Sequence, residues 1–167
     1  MISTPAIDGF TLRPLEDRDA APLQALFDED REFFQDINGR DIPVAELRAA
    51  LPPWRTHDDK FAFVIERDGI AGMIDLIRGY PEPTTWHLLF IFLAKNVRCA
   101  GVGRRVLRAI YGWTKGQGAT ALHLGVAETN TRARHLYATE GFVPTGVREV
   151  DPAARRMRRT FVLERTL

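Results

Sequence analysis

The sequence predicts a mixed α/β fold, with a sheet that is largely antiparallel in the first half and crosses over through a helix in the second. Three observations carry this. Two apolar runs, 61–66 and 70–79, flank Arg67-Asp68-Gly69, and Asp-Gly between such runs signals a hairpin. A nearly all-apolar run from Leu88 to Ala94 leads into the glycine-spaced segment 98–104, as a strand covered on both faces does before a helix. Helical and strand periods then alternate towards the C-terminus.

Phe10 to Leu15 alternates apolar and polar positions, the pattern of a half-buried strand. Asp17 can cap a helix carrying Ala20, Leu23, Leu26 and Phe27. The acidic stretch Asp28–Asp41 contains the turn signal Asn38-Gly39 and reads as a loop or a broken helix. Pro43 opens a short helix to about Leu51, which Pro52-Pro53 stops. After the hairpin comes a strand over Thr85–Leu93, then a helix in which Val106, Leu107, Ile110, Tyr111 and Thr114 recur at helical spacing. Ala121–Val126 is a strand, and Thr129 or Asn130 caps a helix that Gly141 ends. Phe142–Val150 and Thr160–Leu167 close the sheet around a turn at Asp151-Pro152. The sum is about seven strands and about four helices.

At 167 residues the chain suits a single domain spanning 1–167. Such a chain buries roughly two thirds of its unfolded surface and needs no metal or disulfide staple. A net charge of +1 gives no global argument for nucleic acid or a membrane surface. The basic cluster Arg155, Arg156, Arg158 and Arg159 lacks interleaved aromatics and reads as hairpin decoration. Cys99 is the only cysteine and the first ten residues lack a signal-peptide pattern, so a cytoplasmic location is expected. Four histidines and one cysteine show no metal-ligand spacing, so no metal is expected.

The segment Arg98-Cys99-Ala100-Gly101-Val102-Gly103-Arg104 carries chemistry. A strand ends, glycines allow close backbone approach, and a helix begins whose first amides are unpaired and whose dipole favours an anion. Alone this is a weak pattern. About 25 residues on stands a second one, Asn130-Thr-Arg-Ala133-Arg-His-Leu136-Tyr137-Ala-Thr-Glu-Gly141-Phe142.

Together the two resemble the signature of the GCN5-related N-acetyltransferase (GNAT) superfamily, Arg/Gln-x-x-Gly-x-Gly/Ala and then Asn-x-x-Ala-x-x-Leu-Tyr-x-x-x-Gly-Phe. The resemblance covers about residues 60–145. It implies the GNAT fold, with the fourth and fifth strands splayed apart, and acetyl transfer from acetyl-coenzyme A, as cosubstrate, directly to a primary amine of a small molecule or peptide. It implies that backbone amides around Arg98, Cys99, Ala100, Gly101, Val102, Gly103 and Arg104 hold the pyrophosphate. Phe92, Leu93 and Ala94 would pair with the pantetheine arm like an extra strand, and Asn130 would bond the same arm or simply cap its helix. Tyr137 would protonate the departing thiolate, or else be a core aromatic. A non-catalytic acyl-CoA-binding regulatory module is the alternative, and a homodimer is an allowed assembly.

The general base is less legible. Alternation along Thr85–Leu93 puts His87 with Leu89, Ile91 and Leu93 on one side, and His87 is the only titratable side chain on that run. It is the candidate base; Asp75 and Glu66 are weaker ones, and water is another. The six carboxylates of Asp28–Asp41, with Phe33 and Phe34, point to a cationic amine as acceptor if they border the cleft, or to a solvated surface if not. Trp54 and Tyr80-Pro81 are expected at the same mouth.

Overall fold

The computed structural model describes residues 3–51, 55–98, 101–150 and 158–167. Cys99, Ala100, Trp54, the Pro52-Pro53 stop, the Asp151-Pro152 turn, Arg155 and Arg156 lie outside the described residues. The strands are β1 (Thr11–Pro14), β2 (Lys60–Glu66), β3 (Ile70–Arg78), β4 (Thr85–Leu93), β5 (Ala121–Ala127), β6 (Val143–Val150) and β7 (Arg158–Thr166). The helices are α1 (Ala20–Asp28), α2 (Arg31–Asn38), α3 (Val44–Ala49), α4 (Val102–Gly116) and α5 (Thr131–Thr139). All seven strands form one sheet in the order β1-β2-β3-β4-β5-β7-β6, and only β4 and β5 pair in parallel. This is the mixed α/β architecture that the sequence predicts.

Local chemistry explains most boundaries. Asp68 and Gly69 take φ of 56° and 117°, the left-handed geometry that a tight β2–β3 turn needs. The first helix does not start on Asp17, as expected. A 3-10 turn over Asp17–Asp19 precedes it, and Asp19 accepts the Glu16 N–H at 2.8 Å. Asp17 is instead ion-paired to Arg48. The acidic stretch takes the broken-helix alternative: α1 ends, Asp30 leaves helical geometry, and α2 runs until Gly39 at φ 73°. That adds a fifth helix.

Two cores lie on opposite faces of the sheet. On one, α4 and α5 bury Val106, Leu107, Ile110 and Tyr137 against Ile74, Leu76, Trp86 and Leu88. On the other, α1, α2 and α3 bury Leu23, Phe27, Phe34 and Leu47 against Val64, Met73 and Phe92. Phe34 stacks on Phe92 with centroids 5.7 Å apart, which fixes α2 on β4. Beneath α3, Lys60 Nζ donates to Asp75 Oδ2 (2.7 Å) and to the carbonyls of Leu47 and Ala50. Among the described residues, no helix is long and apolar enough to cross a membrane.

Candidate active site

β4 and β5 pair only from Thr85↔Ala121 to Leu88↔Leu124, though both strands run on. The divergence begins at a bulge. Asp75 of β3 faces Phe90 and Leu76 faces Leu88, so Leu89 has no partner across the ladder. A bulge bends its strand and increases the local twist, which here swings the end of β4 away from β5. The gap opens a cavity of about 700 Å³ whose walls include Leu89, Ile91 and Leu93 on one side and Gly125, Val126 and Ala127 on the other.

One end of the cavity is the start of α4. Gly101 stands at φ 72°, a conformation that costs a residue with a Cβ roughly 1–2 kcal/mol, and a Cβ there would meet nothing within 4 Å. The first amide to close onto the helix is Arg105, at 3.1 Å from Gly101 O. The amides of Val102, Gly103 and Arg104 precede it and have no backbone acceptor among the described residues. A Cβ on Gly103 would come within 3.3 Å of Leu136, so this glycine seats α5 against the loop. The helix start therefore turns N–H groups without a partner among the described residues, and the positive end of its dipole, to the cavity.

The arginines around the loop are largely spoken for. Arg98 forms an ion pair with the buried Asp30, donates from Nε to Leu93 O at 2.6 Å, and lies 4.7 Å above the Phe33 ring. Arg104 Nε is 2.8 Å from Glu140, which is itself buried. Arg105 donates to Asp8 O at 3.2 Å. Arg132 donates to Arg98 O at 2.6 Å and so clamps α5 to the loop. Backbone amides, rather than free guanidiniums, are what this end offers an anion. The expected backbone groups of β4 are partly engaged too: Ala94 N–H bonds Ala71 O at 2.8 Å, and Phe92 turns its side chain into the core under α2.

α5 brings Asn130 and Tyr137 to the same cavity. Asn130 Oδ1 accepts the Ala133 N–H at 3.1 Å, which makes it the helix cap. Tyr137 is buried, with its ring 5.4 Å from that of Phe142. Burial, and secondarily the neighbouring Tyr111, pushes its phenol well above the usual tyrosine value, so it stays protonated at neutral pH.

His87 lies elsewhere. Because the Leu89 bulge reverses the alternation, His87 shares a face with Phe90 and Phe92, not with Ile91 and Leu93 as strict alternation predicts. It is outside the cavity lining, and its Nδ1 is 2.7 Å from Nδ1 of His123 on β5. Burial first, then His123 and Arg148, lower its pKa to about 3. Asp75 is held by Lys60, with burial raising its pKa to about 6, and Glu66 is held by Arg13 at 2.8 Å. Neither lines the cavity.

The cavity is also lined by residues to which the sequence assigns no functional role, Ile37 and Asn38 of α2, beside Phe33, whose ring lies under Arg98. The signal was present, since Phe33 and Ile37 are four apart on a helix that composition alone made look like an acidic loop. None of the six carboxylates of that stretch reaches the lining. Tyr80 is not at this mouth either; it packs edge-on against His87 at 5.2 Å.

Residues 23–142 match the model of the acetyltransferase (GNAT) family. The uncharacterized N-acetyltransferase YhfO of Bacillus subtilis (strain 168) is 25% identical over 134 residues, 78% of this chain and 88% of that protein. Among solved structures, an acetyltransferase from Thermus thermophilus superposes with a TM-score of 0.72 at 20% identity, covering 96% of this chain and 99% of that one. The spermidine N-acetyltransferase from Vibrio cholerae, in complex with CoA and spermine, gives 0.70 at 19% identity and 95% of both chains. The splayed strand pair, the loop at the start of α4 and the matched family model agree: this chain belongs to the acetyltransferase (GNAT) family.

Proposed function

We propose that this protein transfers an acetyl group from acetyl-coenzyme A directly to a primary amine of a small molecule or peptide. The observation that carries the proposal is one cavity lined both by the start of α4, at Gly101, Gly103 and Arg104, and by Tyr137. An anion site, a parted pair of strands wide enough for an extended arm, and a proton donor are what such a transfer requires.

In this reading the amides of Gly101, Val102, Gly103 and Arg104 hold the pyrophosphate of acetyl-coenzyme A. Arg98 acts through its backbone and by bracing Leu93, and the β4 edge from Leu89 to Leu93 aligns the pantetheine arm. Asn130 lies beside that arm while capping α5. The thioester supplies an activated acetyl group. A nitrogen–carbon bond forms as the carbon–sulfur bond breaks, and Tyr137 gives the proton that the leaving sulfur takes up. Burial keeps this phenol protonated at neutral pH, so its O–H is present to hydrogen-bond the leaving sulfur. Water in the cleft takes the proton released by the amine, because His87 faces away and is a weak base where it stands. Holding the two reactants in one cleft supplies the rest of the acceleration.

The test is thiol release from acetyl-coenzyme A across a panel of amines, amino-acid amides and N-terminal peptides. Release that depends on the amine, and is lost in Tyr137→Phe, supports the proposal. Tight acetyl-coenzyme A binding with no release from any amine would overturn it.

A further inference from the structure

β4 and β5 part beyond Leu88↔Leu124, so the gap between them is a wedge, closed at that pair and open towards the ends of both strands. Two hydrogen bonds cross its open end. Both come from the corner where β5 turns into α5. Arg132 donates to Arg98 O at 2.6 Å, and Thr129 Oγ1 donates to Asp36 O at 2.8 Å. The second joins residues 93 apart in the chain and ends on the last turn of α2.

Carbonyls in the last turn of a helix lack a partner inside the helix, and that of Asp36 takes the Thr129 hydroxyl. α2 is held unevenly along its length. Its start is fixed by the ion pairs of Asp30 with Arg98 and Lys95, and its middle by the buried Phe34, which stacks on Phe90 and Phe92. Its last turn is exposed at Asp36, lines the cavity at Ile37 and Asn38, and is tied to the far side of the gap through Thr129. A surface contact of this kind opens more readily than the packed elements beside it. Neither Thr129 nor Asp36 lines the cavity, so their bond ties one side of the gap to the other without reaching what lies between.

We infer that this contact is a latch: the last turn of α2 and the β5–α5 corner close the open end of the gap, and acetyl-coenzyme A enters and leaves only when they part. The inference rests on the coenzyme-binding part of the acetyl-transfer reading. A latch made by two pieces of the protein, in the free and the loaded state alike, slows entry and exit by the same factor and leaves affinity as it was. A group that binds the coenzyme directly acts otherwise, on dissociation and affinity together.

The experiment measures association and dissociation rates of acetyl-coenzyme A by surface plasmon resonance on the wild type, Thr129→Val and Thr129→Ser. Valine keeps the branched shape of threonine and removes the donor. Loss of one neutral hydrogen bond should raise both rates about fivefold, with Kd nearly unchanged. Thr129→Ser, which keeps the hydroxyl, should stay near the wild-type rates. Unchanged rates in Thr129→Val, or faster dissociation alone with a matching loss of affinity, overturns the latch and leaves coenzyme binding standing. No binding by the wild type overturns both.

Discussion

Arg98→Ala tests how the loop is held. The guanidinium, with its side chain 22% exposed, pairs with Asp30, whose side chain is 5% exposed. It also bonds Leu93 O at 2.6 Å and lies over Phe33 and Phe92 at 4.7 and 5.3 Å. Deleting one partner of a buried pair costs about 3–5 kcal/mol, because the other charge is stranded. Here Lys95 remains 3.4 Å from Asp30, but its side chain is 60% exposed, so the lower end, about 3 kcal/mol, applies. For a chain of this size each kcal/mol moves Tm by roughly 2–4 °C, which gives a fall of roughly 6–12 °C. The assay is thermal and urea unfolding of Arg98→Ala, Asp30→Asn and the double variant. Removing the stranded carboxylate should recover part of the loss, with a coupling of at least about 1 kcal/mol. A loss below about 1 kcal/mol, or strict additivity, would refute the idea that this pair ties the loop to the α1–α2 elbow.

Three further outcomes are expected. Tyr137→Phe should lower kcat about 100-fold or more, the contribution of a general acid, with acetyl-coenzyme A affinity nearly unchanged in calorimetry; an unchanged kcat removes its role. Gly72→Ala would put a Cβ 2.2 Å from Phe92 O, forcing β4 to shift at a cost of about 1–3 kcal/mol, whereas Gly112→Ala on the exposed face of α4 should stabilise by up to about 1 kcal/mol. Equal effects in urea unfolding would contradict the close strand contact. Two buried groups make opposed contributions to the pH dependence of stability. His87, with its folded pKa lowered to about 3, contributes stability present above its unfolded value of 6.5 and lost as pH falls, on the order of 2–3 kcal/mol by pH 4.5. Asp75, raised to about 6, contributes stability that is full below 3.8 and lost as pH rises through 6. Asp75→Asn should therefore steepen the loss of stability between pH 6 and 4.5, and His87→Gln should lessen it, with His123, also lowered by burial, keeping part of the loss. Parallel curves for both variants and the wild type would rule out these assignments. His87→Gln should also leave the acidic limb of the pH–rate profile in place, since His87 faces away from the cleft.

The legible parts of the fold are those fixed by local chemistry. Asp68-Gly69 marked its hairpin, and the apolar run 85–93 gave β4 to the residue. Gly101, Gly103, Asn130 and Tyr137 could be placed in one site because each motif sits at the junction of a strand and a helix. The bulge was invisible, because Leu88-Leu89-Phe90-Ile91 are all apolar and no polar residue marks where the period slips. That slip alone moved His87 off the face where alternation had put it. His123, its partner, lies 36 residues away and meets it only because β4 and β5 pair in parallel. Composition also misdirected the acceptor reading: six carboxylates dominate Asp28–Asp41, but direction, not number, decides what a cleft sees, and Phe33, Ile37 and Asn38 point inward.

The central claim is that acetyl-coenzyme A binds with its pyrophosphate on the first amides of α4. Isothermal titration of acetyl-coenzyme A into the wild-type protein and into Gly101→Glu tests it most directly. A Cβ at Gly101 meets no neighbouring atom, so the variant should keep its fold at a cost of roughly 1–2 kcal/mol, checked by circular dichroism. One molecule should bind per wild-type chain, and no binding should be measurable once a carboxylate occupies the anion site. Near-normal affinity in a folded Gly101→Glu protein would contradict the claim.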